Sequence, residues 1–425
     1  MLQKPLSRKC VRNENMRSLL RQDKKKKTVG KTMATSTTRR HASKTEATMS
    51  MAIPTLPQEI IAEILSRLPV KSLGQFRCVS KPWLSLISDT HFIKMHLKQR
   101  LSQKVFMSFW FRLKIRSLDF EALVNHVGDE KSAIKNLQLP LEVGSIRRVK
   151  ILGSCDGLLC LRLGDNDVII WNACIREYKK LQEFNGLGGS YGFGYDCEND
   201  DYKLVKVIPR NGSDEISVDV FSLKTNSWRR VCYGGYKFDL VDDVGTLLNG
   251  AVYWQANRGD TKDTSFIVSF DIVNEKFSEL PIPDCKFVEG PMLGVLGGSL
   301  CACRSEFGKD VEMWAMKEDG AKVSWIKFAT VRLGMEPEYI REYSIPLCFA
   351  KNGEALMLKG GLQLDAYNLK KNGYRRLFIS PDGDCEFDGA LYVESLVSPN
   401  VYDGAHWQTP SIRENDQEKI DGVAR

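Results

Sequence analysis

What the chain of 425 residues lacks narrows its class before any motif is read. Its five histidines, His41, His91, His96, His126 and His406, fall at no metal-ligand spacing, and no zinc-type grouping of Cys with His occurs. Twelve cysteines are scattered without a CxxC pair, Cys301 and Cys303 being the only tight pair, so no disulfide framework is legible. Cys155 and Cys160 read as neighbours packed in a strand pair rather than as metal ligands. No apolar run approaches the roughly 18 residues of a membrane helix, and the start of the chain has no secretory apolar core. A P-loop and a complete G-x-G-x-x-G are missing too. The expectation is a soluble protein of a reducing compartment, cytoplasm or nucleus, with no cofactor and no metal, in which the sequon at Asn211-Gly212-Ser213 is incidental.

An excess of positive charge is also missing from most of the chain. The formal net charge is +8, yet residues 1 to 50 hold 14 Lys or Arg against Glu14, Asp23 and Glu46, a local net of +11 that leaves −3 for the other 375 residues. A nucleic-acid role for the whole protein is therefore not expected. Residues 1–50 form a basic leader with few large apolar residues, expected to be disordered. Its cluster "RQDKKKKTVGK", Arg21 to Lys31, reads as a solvated tail or a weak nuclear import signal.

Residues 51–98 read as short helices. Thr55 and Gln58 stand at a capping-box spacing, with Pro57 in the first turn. Ile60, Ile61, Ile64, Leu65 and Leu68 then make a wide apolar stripe that Pro69 ends. A second helix carries Leu73, Phe76 and Val79. A third begins where Ser80 can cap and Pro82 can sit in the first turn, and carries Trp83, Leu86 and Ile87. Phe92, Met95 and Leu97 predict a further turn or two. Helices this short cannot bury so much apolar surface among themselves, so they pack on the rest of the chain or await a partner.

The order of residues adds what periodicity does not. "LPQEIIAEILSRLPVKSLGQFRCVSKPWLSLISDTHF" resembles the F-box, the module that docks a receptor onto a Skp-type adaptor of cullin-RING ubiquitin ligases. The match departs at Thr90, usually Pro, and at Ser80, often Cys. The resemblance implies adaptor contacts at Leu56, Pro57, Ile60, Ile64, Leu65, Leu68, Pro69, Leu73, Phe76, Val79 and Trp83, with Phe76 and Trp83 holding the helices at the right angle.

From residue 99 to 400 the grammar becomes that of β-hairpins. The runs "DGLLCL", "NGAVYW", "GGSLCA", "NGEALML" and "DGALYV" each read as a turn followed by an apolar strand. A second series, "NACIREYKKL", "LKTNSWRRV", "IVNEKFSEL", "EDGAKVSWIKF" and "LKKNGYRRLF", places an aromatic after a polar turn. These aromatics are Tyr178, Trp228, Phe277, Trp325 and Tyr374, spaced 50, 49, 48 and 49 apart. A period near 50 built of strands fits propeller blades of about four strands. The aromatics are predicted to be core residues filling the wedge between neighbouring sheets. "FDGALYVESLV" with "KVFMSFWFRL" and "RSLDFEAL" would close a sixth blade from both ends of the domain, removing exposed sheet edges. The fold class expected is a small all-α module followed by an all-β domain, a six-bladed propeller of kelch-like layout with seven blades or an incomplete ring as the alternatives, and residues 401–425 a polar tail.

"GSCDGLLCL", "GFGYDCENDDYKLVKV" and "IVSFDIVNEKFSELPIP" are similar to the F-box-associated interaction domain of the large plant F-box family, whose propeller binds the protein to be ubiquitinated. That resemblance implies a non-enzymatic substrate receptor with two partners, a Skp-type adaptor and an unidentified target. The connections Asn185 to Ser190, Asn211 to Glu215, Asn257 to Thr264 and Glu336 to Tyr343 are candidate target contacts, being long or polar. The competing reading is a propeller enzyme or glycan or small-molecule binder with a structural helical module. "GGSYG", Gly188 to Gly192, has the form of a nucleophile elbow around Ser190, but strands flank it where a helix should follow. A third reading is an adaptor-binding protein without a ligase role, or one acting on chromatin through the leader.

Overall fold

The computed structural model describes residues 56–99, 103–109, 114–125, 133–141, 148–165, 167–182, 188–209, 215–258, 265–283, 290–305, 310–319, 322–331, 344–379 and 386–402. The basic leader, the Thr55 cap and all but the first two residues of the polar tail lie outside them. The chain divides into two compact units after Ile64. The first contributes most of helix α1 (Gln58–Ser66). The second opens with α2 (Val70–Phe76), α3 (Lys81–Ser88) and α4 (Thr90–Gln99).

Local chemistry accounts for these starts. Pro57 stands just before α1 and its carbonyl accepts from the N–H groups of Ile60 and Ile61. Ser80 is extended and its hydroxyl accepts from the Trp83 N–H at 3.3 Å, while Pro82 occupies the first turn. Val79 lies beyond the end of α2 rather than on it, in the turn that leads to the Ser80 cap.

The strands begin with β1 (Gln103–Phe109), β2 (Ile115–Leu118) and β3 (Ile134–Leu137), with α5 (Phe120–Asn125) between the last two. "RSLDFEAL" is therefore strand and then helix, not strand throughout. The cause is Asp119, whose carboxylate accepts from the Ala122 N–H and caps the turn. Blade 1 is β4 (Val149–Cys155), β5 (Leu158–Leu163), β6 (Asp167–Asn172) and β7 (Glu177–Lys180). Blade 2 is β8 (Ser190–Asp196), β9 (Asp201–Pro209), β10 (Glu215–Ser222) and β11 (Ser227–Gly234). Blade 3 has a split inner strand, β12 (Asp239–Leu240) and β13 (Thr246–Leu248), followed by β14 (Ala251–Asn257), β15 (Ser265–Asp271) and β16 (Lys276–Leu280). Blade 4 is β17 (Met292–Leu296), β18 (Ser299–Ser305), β19 (Val311–Asp319) and β20 (Lys322–Val331). Blade 5 is β21 (Ser344–Phe349), β22 (Ala355–Lys359), β23 (Gln363–Asn368) and β24 (Gly373–Ile379).

The last strand, β25 (Phe387–Val393), pairs antiparallel with β1, Gln103 opposite Val393 and Phe109 opposite Phe387, so blade 6 runs β25-β1-β2-β3. Asp388-Gly389 is thus inside a strand and not a turn before one. Six antiparallel sheets make the six-bladed propeller expected. The inner strands touch in the cyclic order β25, β4, β8, β13, β17, β21 and back to β25. Closure by β25 pairs β1, which would otherwise be a bare edge of the sixth blade.

The repeat near 50 residues is a turn of fixed chemistry. Asn172, Ser222, Asp271 and Asn368 each accept, through a side-chain oxygen, from backbone N–H groups two or three residues on. Four residues after each of them comes a left-handed residue, Arg176 (φ 60), Asn226 (φ 51), Glu275 (φ 53) and Asn372 (φ 49). Two further on stands the aromatic. It faces a partner on the strand before: Tyr178 opposite Trp171, Trp228 opposite Phe221, Phe277 opposite Phe270, Tyr374 opposite Tyr367. In blade 4 Trp325 faces Met316.

The partners on the third strand, Trp171, Phe221, Phe270 and Tyr367, are buried, whereas Tyr178, Trp228, Trp325 and Tyr374 are half-buried and only Phe277 of the five is buried. Core filling therefore falls mainly to the third strand. The outer aromatics tie blades together at their rims: the indole N–H of Trp228 donates to the Gln182 carbonyl and that of Trp325 to the Pro281 carbonyl, each just past the preceding blade.

Left-handed backbone suits Asn and Gly but costs a residue such as Arg about 1 kcal/mol. Arg176 is exposed, so Arg176→Asn is expected to raise the thermal midpoint, stabilising by about 0.5 to 1 kcal/mol. A calorimetric scan checks it. The same change at Glu275 should not stabilise, because its carboxylate holds Lys203 and Arg229.

Candidate docking surface and loop rim

Hydrophobic residues of the helices sort into two sets. Ile60 (47% exposed) and Ile64 (49%) lie four apart on α1, and together with Leu56 (57%), two residues before the helix, they present apolar surface to solvent. Pro57 and Pro69 are exposed as well, and Leu68 is half-buried. In the second unit Val79 is 63% exposed. Leu65 and Leu73, predicted as adaptor contacts, are buried within the chain; they hold the helices and leave no surface for a partner. Phe76 and Trp83, both half-buried, meet edge to face with ring centroids 5.3 Å apart, which fixes α2 against α3. His96 lies 2.9 Å from the Leu68 carbonyl and joins the start of this unit to α4.

Helix α4 leads into β1 from the rim where, in blades 1 to 5, strands one and two, and three and four, are joined by short turns. Lys94 of α4 pairs with Asp200 at 2.8 Å and lies over the Tyr195 ring, 5.9 Å from its centroid. Partial burial acts to raise the Asp200 pKa, but hydrogen bonds from Lys94 and Tyr195 and the Lys94 charge hold it low. Glu177 on the same rim is raised by burial, opposed by Ser398 and by Arg77 of the helical segment.

The four candidate connections all leave the opposite rim, because each joins strands two and three of a blade or one blade to the next. Residues 183–187, 210–214, 259–264 and 332–343 within them lie outside the described residues. Beside them, at the mouth of the channel, Tyr191 accepts from the indole N–H of Trp254 and from the Gly245 N–H through its carbonyl. Its own N–H donates to the Asp243 carbonyl, so the break between β12 and β13 is spliced onto blade 2. Asp242 in that break has its carboxyl pushed up to about 6, burial outweighing the bond it accepts from the Gln255 N–H. Ser190 opens β8 and pairs with Val207 in a hairpin, with no helix following, which is not the strand-turn-helix of a nucleophile elbow.

Comparison with known proteins matches both halves. Residues 53–95 match the F-box domain, and residues 105–398 match the F-box associated beta propeller domain. The chain belongs to the plant F-box proteins. Over 379 residues it is 29% identical to an F-box/kelch-repeat protein of Arabidopsis thaliana, spanning 84% of this chain and 99% of that relative. It is 28% identical to the F-box protein CPR1 of the same plant over 380 residues, 81% of this chain and 89% of the relative. At family level an F-box protein of this kind is a substrate-recognition subunit of an SCF ubiquitin ligase, with an adaptor on the F-box and a target protein on the propeller. The Ser80 at which this F-box departs from the common pattern is the cap of α3.

Sequence reasoning passed over the cations that stand inside strands. Lys150, Arg162 and Lys206 interrupt the apolar runs "VKIL", "LRL" and "LVKV", and that interruption was the available signal.

Proposed function

We propose that this chain is a non-catalytic target receptor of an SCF-type ligase, holding a Skp-type adaptor through the stripe Leu56, Ile60 and Ile64. The observation that carries the reading is that set: three large aliphatic side chains, Ile60 and Ile64 a helical turn apart on α1 and Leu56 just before it, each about half exposed, a cluster beyond the singly scattered apolar residues of an ordinary surface. The contribution to ubiquitin transfer is proximity, the effective concentration of a target lysine beside the conjugating enzyme. The adaptors of such ligases put its work in the cytoplasm or nucleus.

Capture of a purified Skp-type adaptor tests the assignment. Ile60→Asp with Ile64→Asp should weaken capture at least tenfold, since anchors of this kind each contribute on the order of 2 kcal/mol. The propeller's thermal midpoint should stay where it was. Undiminished capture would remove the docking role from this stripe.

A further inference from the structure

On the loop rim, blades 1 and 2 bring an excess of positive charge into one cleft. Lys150 on β4 lies directly across from Arg162 on β5, and Tyr191 on β8 across from Lys206 on β9, whose next cross-strand neighbours are Asp219 and then Arg230. Directly opposed residues share a face of their sheet, so each set forms one patch. The patches meet: the Arg162 guanidinium lies over the Tyr191 ring, 5.9 Å from its centroid.

Among the described residues these four cations thus face two carboxylates, Asp243 and Asp219, the second already engaged by Arg230 through two bonds of 2.6 and 2.8 Å. Lys206 is buried, and its pKa is lowered by burial and by the charges of Arg230 and Arg162 against the opposing pull of Asp219. The Nε of Arg162 is buried with no acceptor among the described residues. The remaining cation, Lys150, is paired with Asp243, which reaches it from blade 3 and is itself 74% exposed. A solvent-facing carboxylate therefore already rests on these cations, and another can displace it.

We propose that the cleft formed by Lys150, Arg162, Tyr191 and Lys206 is a subsite for an acidic segment of the target protein, with Asp243 holding the place of its carboxylate. The proposal rests on the receptor reading, and names the chemistry of what that receptor takes. Tyr191 is itself buried and backs the site; an Asp or Glu side chain approaches from solvent, accepts from the Arg162 guanidinium and takes over Lys150 as Asp243 moves aside. Arginine suits the role because its planar fork meets a carboxylate in a fixed geometry and is weakly hydrated.

The test uses the full chain with its purified adaptor and three fluorescein-labelled dodecapeptides of alternating Ser with Glu, with phosphoserine replacing Ser, or with Gln replacing Glu, read by anisotropy at low salt. The Glu peptide should bind at least tenfold more tightly than the Gln peptide. Arg162→Gln should remove that difference, and Asp243→Asn, which frees Lys150 and deletes the competing charge, should tighten binding severalfold. A purely structural role for the cluster would not produce that gain. Phosphoserine peptide binding that survives Arg162→Gln, or equal binding of the Glu and Gln peptides, overturns the proposal. Adaptor capture should be indifferent to Arg162→Gln, so a failed docking role and a failed acidic subsite give different results.

Discussion

Asp365→Ala should lower the stability of the propeller by about 3 to 5 kcal/mol and shift its thermal unfolding sharply downward. Asp365 and Lys359 pair at 2.8 Å on adjacent strands of blade 5, their side chains 0% and 2% exposed. They sit on the sheet face that also carries Met357 and Tyr367 of the packed core between blades 4 and 5. The Lys359 ammonium also lies 4.2 Å from the centroid of the Tyr374 ring, and Arg376 reaches Asp365 at 3.9 Å. Removing the carboxylate leaves a buried ammonium facing only a ring, and the desolvation of that charge is then uncompensated. The double variant Lys359→Met with Asp365→Leu discriminates the cause. It removes both charges and keeps the volume, so its stability should return to near the parent value or exceed it. Equal destabilisation of the single and double variants would mean that packing, not charge, sets the cost.

Ending the chain at Val393 should be as damaging, with a loss on the order of 5 kcal/mol, while ending it at Tyr402 should leave the unfolding midpoint unchanged. Residues 394–402 run across the short-turn rim as a strap. Leu396 and Val397 are buried there. The buried Asn172 amide donates to the Ser395 carbonyl, the Ser395 hydroxyl and the Val397 carbonyl. Ser398 donates to Glu177, and Tyr402 to the Asp200 carbonyl. Without the strap the surface that Leu396 and Val397 cover is bared and Asn172 keeps only its turn. Gly157→Ala offers a milder version, since a Cβ at that position would stand 2.3 Å from the Ser395 hydroxyl and 2.6 Å from the Val393 carbonyl. Urea titration of both truncations decides it, the m-value showing whether the shorter chain is still folded.

The parts of this fold that were legible in the sequence are those set by local chemistry. Ser80 and Pro82 announce α3, the Asn-Gly and Gly-Gly pairs announce the tight turns, and the aromatic after each polar turn announces the blade period. The docking stripe was legible for the same reason, as helical periodicity with nothing in the segment to cover it. What escaped depends on partners far along the chain. Leu65 and Ile64 look alike in sequence, but only the packed chain decides that one is buried and the other exposed. The strap carries no periodic apolar pattern, and its worth lies in Asn172, more than 220 residues earlier. Lys359 and Asp365 read as solvent-facing charges on a strand until the neighbouring blade covers them. The cationic cleft is legible only once β4, β5, β8 and β9 are laid side by side.

The pairing of β25 with β1 has a consequence for the order in which the protein is made. The docking stripe is synthesised early and needs only local helix formation, whereas β1 waits for a strand some 280 residues later. Throughout that interval the nascent chain carries a complete F-box segment and an unclosed propeller with a bare strand edge, the kind of edge that invites pairing with other chains. Ribosomes that stall before Phe387 would release chains with an F-box and a propeller that lacks its closing strand. Under the receptor role proposed above, completion of the last strand turns a competitor for the ligase into a receptor.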